Sequence, residues 1–184
     1  MQQGFAWHNW MVSVEQVDQL DLAVVAEQLG RPPRGVAGVA WRCPGGWPGV
    51  VLTSPRLPPD NSPFPTTYYL TCPVAVAGCS RLEASGVMAM MTAQLAVDAE
   101  LRRQYLEAHR AYLGARAGLA VRLGVDDVPR ANVSAGGMPD RVKCLHALVG
   151  QSLAVGSGVN PLGDQALQEL GPFWDGCQIC GELS

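Results

Sequence analysis

The sequence predicts an α+β fold: a small antiparallel sheet of three strands, about 35–72, packed with helices from both ends of the chain. Three observations lead there. Two β-prone runs, "GVAGVAWRC" (35–43) and "GVVLTS" (49–54), are joined by "PGGWP", turn chemistry suited to a hairpin. A third run, "TTYYLTC" (66–72), is rich in Thr and Tyr. From Pro73 onward the periodicity is helical.

The first element is a helix opening at Ser13. "SVEQ" (13–16) reads as a capping box, with Ser13 capping and Gln16 reaching back. Val17, Leu20 and Val24 continue the pattern to Gly30, which suits a left-handed helix end, and Pro32–Pro33 forbid continuation. Between the second and third strands lies "PRLPPDNSPFPT" (55–66). Its five prolines fix φ and remove donors, which predicts a stiff irregular loop. Helical pattern then runs from Pro73 to Gly86 and on through about Leu95.

Asp98 caps a long helix in which Leu101, Tyr105, Ala108, Tyr112, Ala115 and Leu119 form one apolar stripe. Arg102, Arg103, Arg110 and Arg116 fall mostly off it, and His109 sits at its margin as a packing or surface residue. Residues 124–139 read as a loop in which Asp126 and Asp127 form a solvated turn or a cap. A helix follows from about Asp140 to Val155, with Val142, Leu145, Val149 and Leu153 as its buried row. After the turn "GSGVNPLGD", a short helix starting at Asp164 runs to Leu170. Residues 1–12 are expected to be a flexible or docking tail, 13–171 a single domain, and 172–184 a C-terminal tail bearing CxxC.

At 48% hydrophobic and 16% charged residues, this composition supports a real core. A net charge of −3 and a pI near 5.5 give no general affinity for nucleic acid. The start "MQQGFAWHNW" lacks the basic and apolar regions of a signal peptide, and "ASGVMAMMTAQLAV" is too short to span a bilayer. The expected location is the cytoplasm, with no membrane partner. There, six cysteines are buried thiols, metal ligands or nucleophiles rather than a disulfide framework.

Three constellations carry chemistry. Cys43 and Cys72 each precede a proline at the end of a predicted strand, as at some iron–sulfur ligands. Cys144 stands near a helix start beside Arg141 and Lys143, a setting that favours a thiolate. Two residues apart on a helix, Cys144 and His146 point about 200° from one another; only an extended or first-turn conformation lets them share an ion. The terminal "CQIC", Cys177 and Cys180, is a half-site for zinc. Cys79, within a helix, reads as core. No Walker loop, GxGxxG, HExxH or GxSxG is present.

The set "RCPGGWPGVVLTSPRL", "PFPTTYYLTCP", "SRLEASGVM", "GGMPDRVKCLHALVG" and "GVNPLGD" resembles the DUF501 family, bacterial proteins common in actinobacteria, from about Gln28 to Asp164. The resemblance implies a cytoplasmic single-domain protein with no established activity. It also implies gene neighbours for enolase, a septum-formation initiator and an exopolyphosphatase, which points towards division or phosphate metabolism. Cys43, Cys72, Cys144 and His146 recur in the family's motifs, accompanied by Arg42, Arg56 and Lys143. Some relatives carry a second histidine where this chain has Leu148.

Three functions follow as expectations. The first is a zinc or iron–sulfur protein with ligands Cys43, Cys72 and Cys144, and a fourth from Cys177, Cys180 or His146. The second is an enzyme on a phosphorylated or otherwise anionic small molecule. Cys144 would be its nucleophile and His146 its acid/base, while Arg42, Arg56, Arg141 and Lys143 would bind the anion. The third is a protein–protein interaction module whose cysteines merely pack.

Overall fold

The structure is a computed structural model and describes residues 15–127 and 134–173. Ser13 lies outside them, and so do Cys177 and Cys180. The first helix, α1 (Gln19–Leu29), starts later than the Ser13 capping box predicts. Asp18 is its cap: its carboxylate accepts the Asp21 N–H at 2.7 Å, and Asp21 answers by accepting the Asp18 N–H at 3.2 Å. Glu15 instead bridges to Val39 at the sheet margin. Two aspartates thus form the reciprocal box that Ser and Gln suggest a turn earlier. Gly30 ends α1 at φ 64°, in the left-handed conformation expected.

Strands β1 (Val36–Arg42) and β2 (Pro48–Thr53) form the hairpin. The proline loop holds a two-residue ladder, β3 (Arg56–Leu57) with β4 (Ser62–Pro63), where an irregular path is predicted. Each β4 residue answers one on β3, so even a proline-rich loop closes a short ladder where proline stands at its margin. Strand β5 (Tyr68–Leu70) then pairs antiparallel with β2, giving the order β1-β2-β5.

Helices α2 (Pro73–Ala84) and α3 (Val87–Val97) are followed by α4 (Ala99–Leu123), α5 (Leu145–Val155) and α6 (Pro161–Leu170). Asp98 caps α4 as predicted, its carboxylate accepting the Leu101 N–H at 2.9 Å. Helix α5 packs against β5, α2 and α6. It meets β5 at Gly150, where a Cβ would stand 2.7 Å from the Tyr68 carbonyl oxygen. Only a residue without a side chain lets the helix cover the β5 edge, and covering an edge protects its unpaired groups.

The core joins sheet and helices through aromatic side chains. Tyr68 meets Tyr112 of α4 edge-on, with ring centroids 5.5 Å apart. The Tyr112 hydroxyl accepts the Thr67 N–H at 2.6 Å, so its buried oxygen is satisfied. Two sequence expectations fail beside it. Arg116 and Asp127, read as off-stripe and solvated, form an ion pair at 2.8 Å with side chains 8% and 10% exposed. Arg116 also donates to the Phe64 carbonyl at 2.7 Å, so this guanidinium clamps the proline loop to α4. At four residues beyond Tyr112 it shares the inward face. His109 is buried, with Nδ1 3.0 Å from the Ser134 hydroxyl. No helix among the described residues is long and apolar enough to cross a membrane.

Candidate metal centre

Helix α5 begins at Leu145, not near Asp140, and that displacement shapes the site. Gly136 and Gly137 hold φ 79° and 89°, a conformation that favours glycine. They turn the chain so that Lys143 N–H reaches the Gly136 carbonyl at 2.7 Å and Arg141 N–H reaches that of Gly137 at 3.2 Å. The Val142 N–H goes to the Thr92 hydroxyl at 3.0 Å. These bonds, to acceptors in the preceding turn and on α3, leave 141–143 outside α5. Cys144 is therefore the N-cap, extended at φ −157°, ψ 113°, and His146 falls in the first turn. The extended conformation under which Cys144 and His146 face a common point is the one adopted: Cys144 Sγ lies 3.8 Å from His146 Nδ1.

The third member comes from α2. Glu83 Oε1 lies 3.0 Å from His146 Nδ1 and accepts the Leu145 N–H at 2.6 Å. Cys144 makes no side-chain cap, so Glu83 supplies one from another helix to an N–H left without an intrahelical acceptor. The other ring nitrogen is held as well, with Nε2 3.2 Å from the Val76 carbonyl and 3.4 Å from the Ser80 hydroxyl. A carbonyl only accepts, so Nε2 carries hydrogen and Nδ1 is the nitrogen turned towards Glu83 and Cys144. The His146 pKa is raised from 6.5 to about 9. Its hydrogen bond to Cys144 is the largest cause, the charges of Glu83 and Cys144 add to it, and burial opposes it.

One carboxylate oxygen, one sulfur and one ring nitrogen of Glu83, Cys144 and His146 all lie within 4.8 Å of one another. This is the one such group of three or more His, Cys, Asp or Glu donors among the described residues. Cys43 and Cys72 do not join it. Cys72 is buried at the N-cap of α2, and Cys43 is half-buried in the β1–β2 turn, where its N–H donates to the Trp47 carbonyl. Cys79 is fully buried, and burial pushes its thiol up to about 12, in keeping with a core role.

The four cations expected to bind an anion are scattered. Arg42 donates to both carboxylate oxygens of Glu15, both of Asp21 and the Gly46 carbonyl, at 2.7–3.0 Å. Those five bonds use all five of its N–H groups. Arg56, on the proline loop, donates to the Asp126 carbonyl beyond α4 and to the Asn61 carbonyl. Arg141 and Lys143 are exposed ahead of α5.

Glu83 carries no motif that singles it out in the sequence. Its helical spacing does offer a signal: Val76, Ser80 and Glu83 are four and three apart on α2, and all three touch His146.

A cleft of about 590 Å³ opens beside the group, with Cys144 and His146 in its wall. The fold and site define a small α+β protein with a mixed thiol, imidazole and carboxylate cluster at a helix start. A family profile described as "Protein of unknown function (DUF501)" matches residues 39–168. The chain belongs to the DUF501 family. No curated protein and no solved structure matches it.

Proposed function

We propose that this is a metal-binding protein whose Glu83, Cys144 and His146 hold a single zinc ion, with one coordination position facing the cleft. The convergence of three different donors on one point carries the reading. Zinc bonds of about 2.3 Å to sulfur and about 2.05 Å to nitrogen or oxygen, at tetrahedral angles, place sulfur and nitrogen roughly 3.6 Å apart and nitrogen and oxygen roughly 3.3 Å apart. The observed 3.8 and 3.0 Å differ from these by a few tenths of an ångström. The His146 Nε2–H directed at the Val76 carbonyl is the outer hydrogen bond that orients a histidine ligand and leaves Nδ1 for the metal. A set of one sulfur, one nitrogen and one oxygen suits zinc better than an iron–sulfur cluster, which draws on several cysteines. Three protein ligands with an open position belong to zinc sites that bind or activate a further molecule. When bound, the ion supplies Lewis acidity at that position.

The nucleophile reading fits less well. A relay of nucleophile, imidazole and carboxylate uses both ring nitrogens, whereas here Cys144 and Glu83 both approach Nδ1.

Metal content of anaerobically purified protein, followed by titration with zinc and with cobalt, tests the proposal. About one equivalent per chain is expected, with charge-transfer absorption from a cobalt–thiolate bond that Cys144→Ser removes. Binding far below one equivalent after zinc is added back would overturn it.

A further inference from the structure

The cleft beside the candidate metal centre says what kind of molecule the centre meets. It is about 590 Å³, within the range of roughly 300–1,000 Å³ that small-molecule sites occupy. The C-terminal end of α1, the β5 segment and the starts of α2 and α5 form its walls. Leu29, Tyr69, Leu70, Val76 and Ala77 give it an apolar lining, and no lysine, arginine, aspartate or glutamate stands among its described lining residues. Arg42 is fully engaged by Glu15, Asp21 and the Gly46 carbonyl, and Arg56 is turned to the Asp126 and Asn61 carbonyls. The one lining side chain that can carry positive charge, His146, is already turned to Glu83 and the Val76 carbonyl, so an anion placed here would lose its water without gaining a free cation from the walls.

One polar group in the lining lacks an internal partner. Thr71 is 1% exposed, and its hydroxyl has no hydrogen-bond partner among the described residues. An unmatched buried hydroxyl costs about 1–3 kcal/mol, and a ligand that hydrogen-bonds to it recovers that cost.

We infer that the cleft takes an uncharged small molecule with an apolar body. A turn of the Thr71 side chain offers one hydrogen bond to it, and the end near Cys144 and His146 carries the group that meets the metal. The last clause rests on the proposed metal site, whereas the neutral, apolar character of the ligand rests on the lining alone.

The full-length chain is titrated with two fluorescent probes that share one aromatic body. N-phenyl-1-naphthylamine is neutral, and its 8-sulfonate analogue is anionic. The neutral probe is expected to bind at one per chain, and at least about tenfold more tightly than the sulfonate. Ala77 is exposed on α2 and lines the cleft, so Ala77→Trp fills the space from a position that tolerates a large side chain. Ala77→Trp should abolish the neutral probe's binding, while Ala77→Ser keeps it. Equal affinity for the two probes, or binding that survives Ala77→Trp in a protein with unchanged circular dichroism, would overturn the inference. Cobalt absorption is read on the same samples. A missing cobalt–thiolate band alongside probe binding that Ala77→Trp abolishes would sink the metal reading and leave the ligand class standing.

Discussion

His146 Nδ1 and Glu83 Oε1 lie 3.0 Å apart, and the same oxygen caps the helix that carries His146 through the Leu145 N–H at 2.6 Å. One carboxylate therefore joins the charge of the site to the start of α5. In the metal-free protein this pair is a histidine stabilised as imidazolium: Nε2–H goes to a carbonyl and Nδ1–H to the Glu83 carboxylate.

A pH dependence follows from that state. Folding raises the His146 pKa from 6.5 to about 9, chiefly through the Cys144 hydrogen bond and then the charges of Glu83 and Cys144. A raised pKa means that the folded state binds the proton more tightly. Its contribution to stability is complete below 6.5 and is lost as pH climbs through about 9. Imidazole titration by NMR should place His146 well above the range of an ordinary histidine, and Cys144→Ser should bring it down. A His146 that titrates near 6.5 in the wild-type chain would refute this account. Metal binding needs Nδ1 without its proton, so zinc affinity should rise with pH across the same window and release protons on binding.

The capping and ligand roles of Glu83 separate by substitution. Glu83→Gln keeps a carbonyl oxygen for the Leu145 N–H but removes the charge. It should weaken zinc by at least the ~10–100-fold that loss of an outer hydrogen bond costs, with little change in stability above about pH 9, where His146 is neutral. Glu83→Ala loses the cap as well, which adds a cost of about 1 kcal/mol in urea denaturation. If both variants bound zinc as the wild type does, Glu83 would be a cap alone.

Much of this architecture is legible in residue pattern because it rests on local rules. Gly30, Asp98 and the runs around "PGGWP" mark their own boundaries through backbone conformation and capping. The site is harder to read because it depends on where a helix does not form. Residues 140–143 have helical pattern, yet the N–H groups of 141–143 go to Gly137, Thr92 and Gly136, so Cys144 stays extended. Those acceptors lie outside the segment and leave no trace in its periodicity. Glu83 reaches the site only because α2 packs on α5, a tertiary fact that its shared helix face with Val76 and Ser80 does not reveal by itself. Arg116 misleads in another way, since a charged residue at the edge of an apolar stripe reads as solvated until a buried partner is known.

Arg116 should be among the costliest side chains to remove. Arg116→Met leaves Asp127 and the Phe64 carbonyl without their cation in a buried setting. Breaking one side of a buried pair costs about 3–5 kcal/mol, and replacing both sides with apolar groups restores part of it. Urea denaturation of Arg116→Met and of Arg116→Met with Asp127→Leu checks both statements. The clamp assignment fails if the single variant loses less than about 1 kcal/mol.

Three glycines test the packing of α5 against the freedom of α4. A Cβ on Gly150 would stand 2.7 Å from the Tyr68 carbonyl oxygen, and one on Gly163 would stand 2.5 Å from that of Leu148. Both obstacles are backbone atoms in packed elements, so neither can swing aside as a side-chain end does. Gly150→Ala and Gly163→Ala should each destabilise by about 1–3 kcal/mol. Gly150→Ala should also loosen the site, because it lifts α5, and with it Cys144 and His146, away from the sheet. Gly118 sits inside α4 with nothing within 4 Å of where its Cβ would be. There alanine removes only the entropic cost of glycine in a helix, so Gly118→Ala should stabilise by up to about 1 kcal/mol. Opposite signs for the same substitution, read as shifts in melting temperature, would separate close packing from helix propensity. A stabilised Gly150→Ala would mean that α5 does not seal the β5 edge as described.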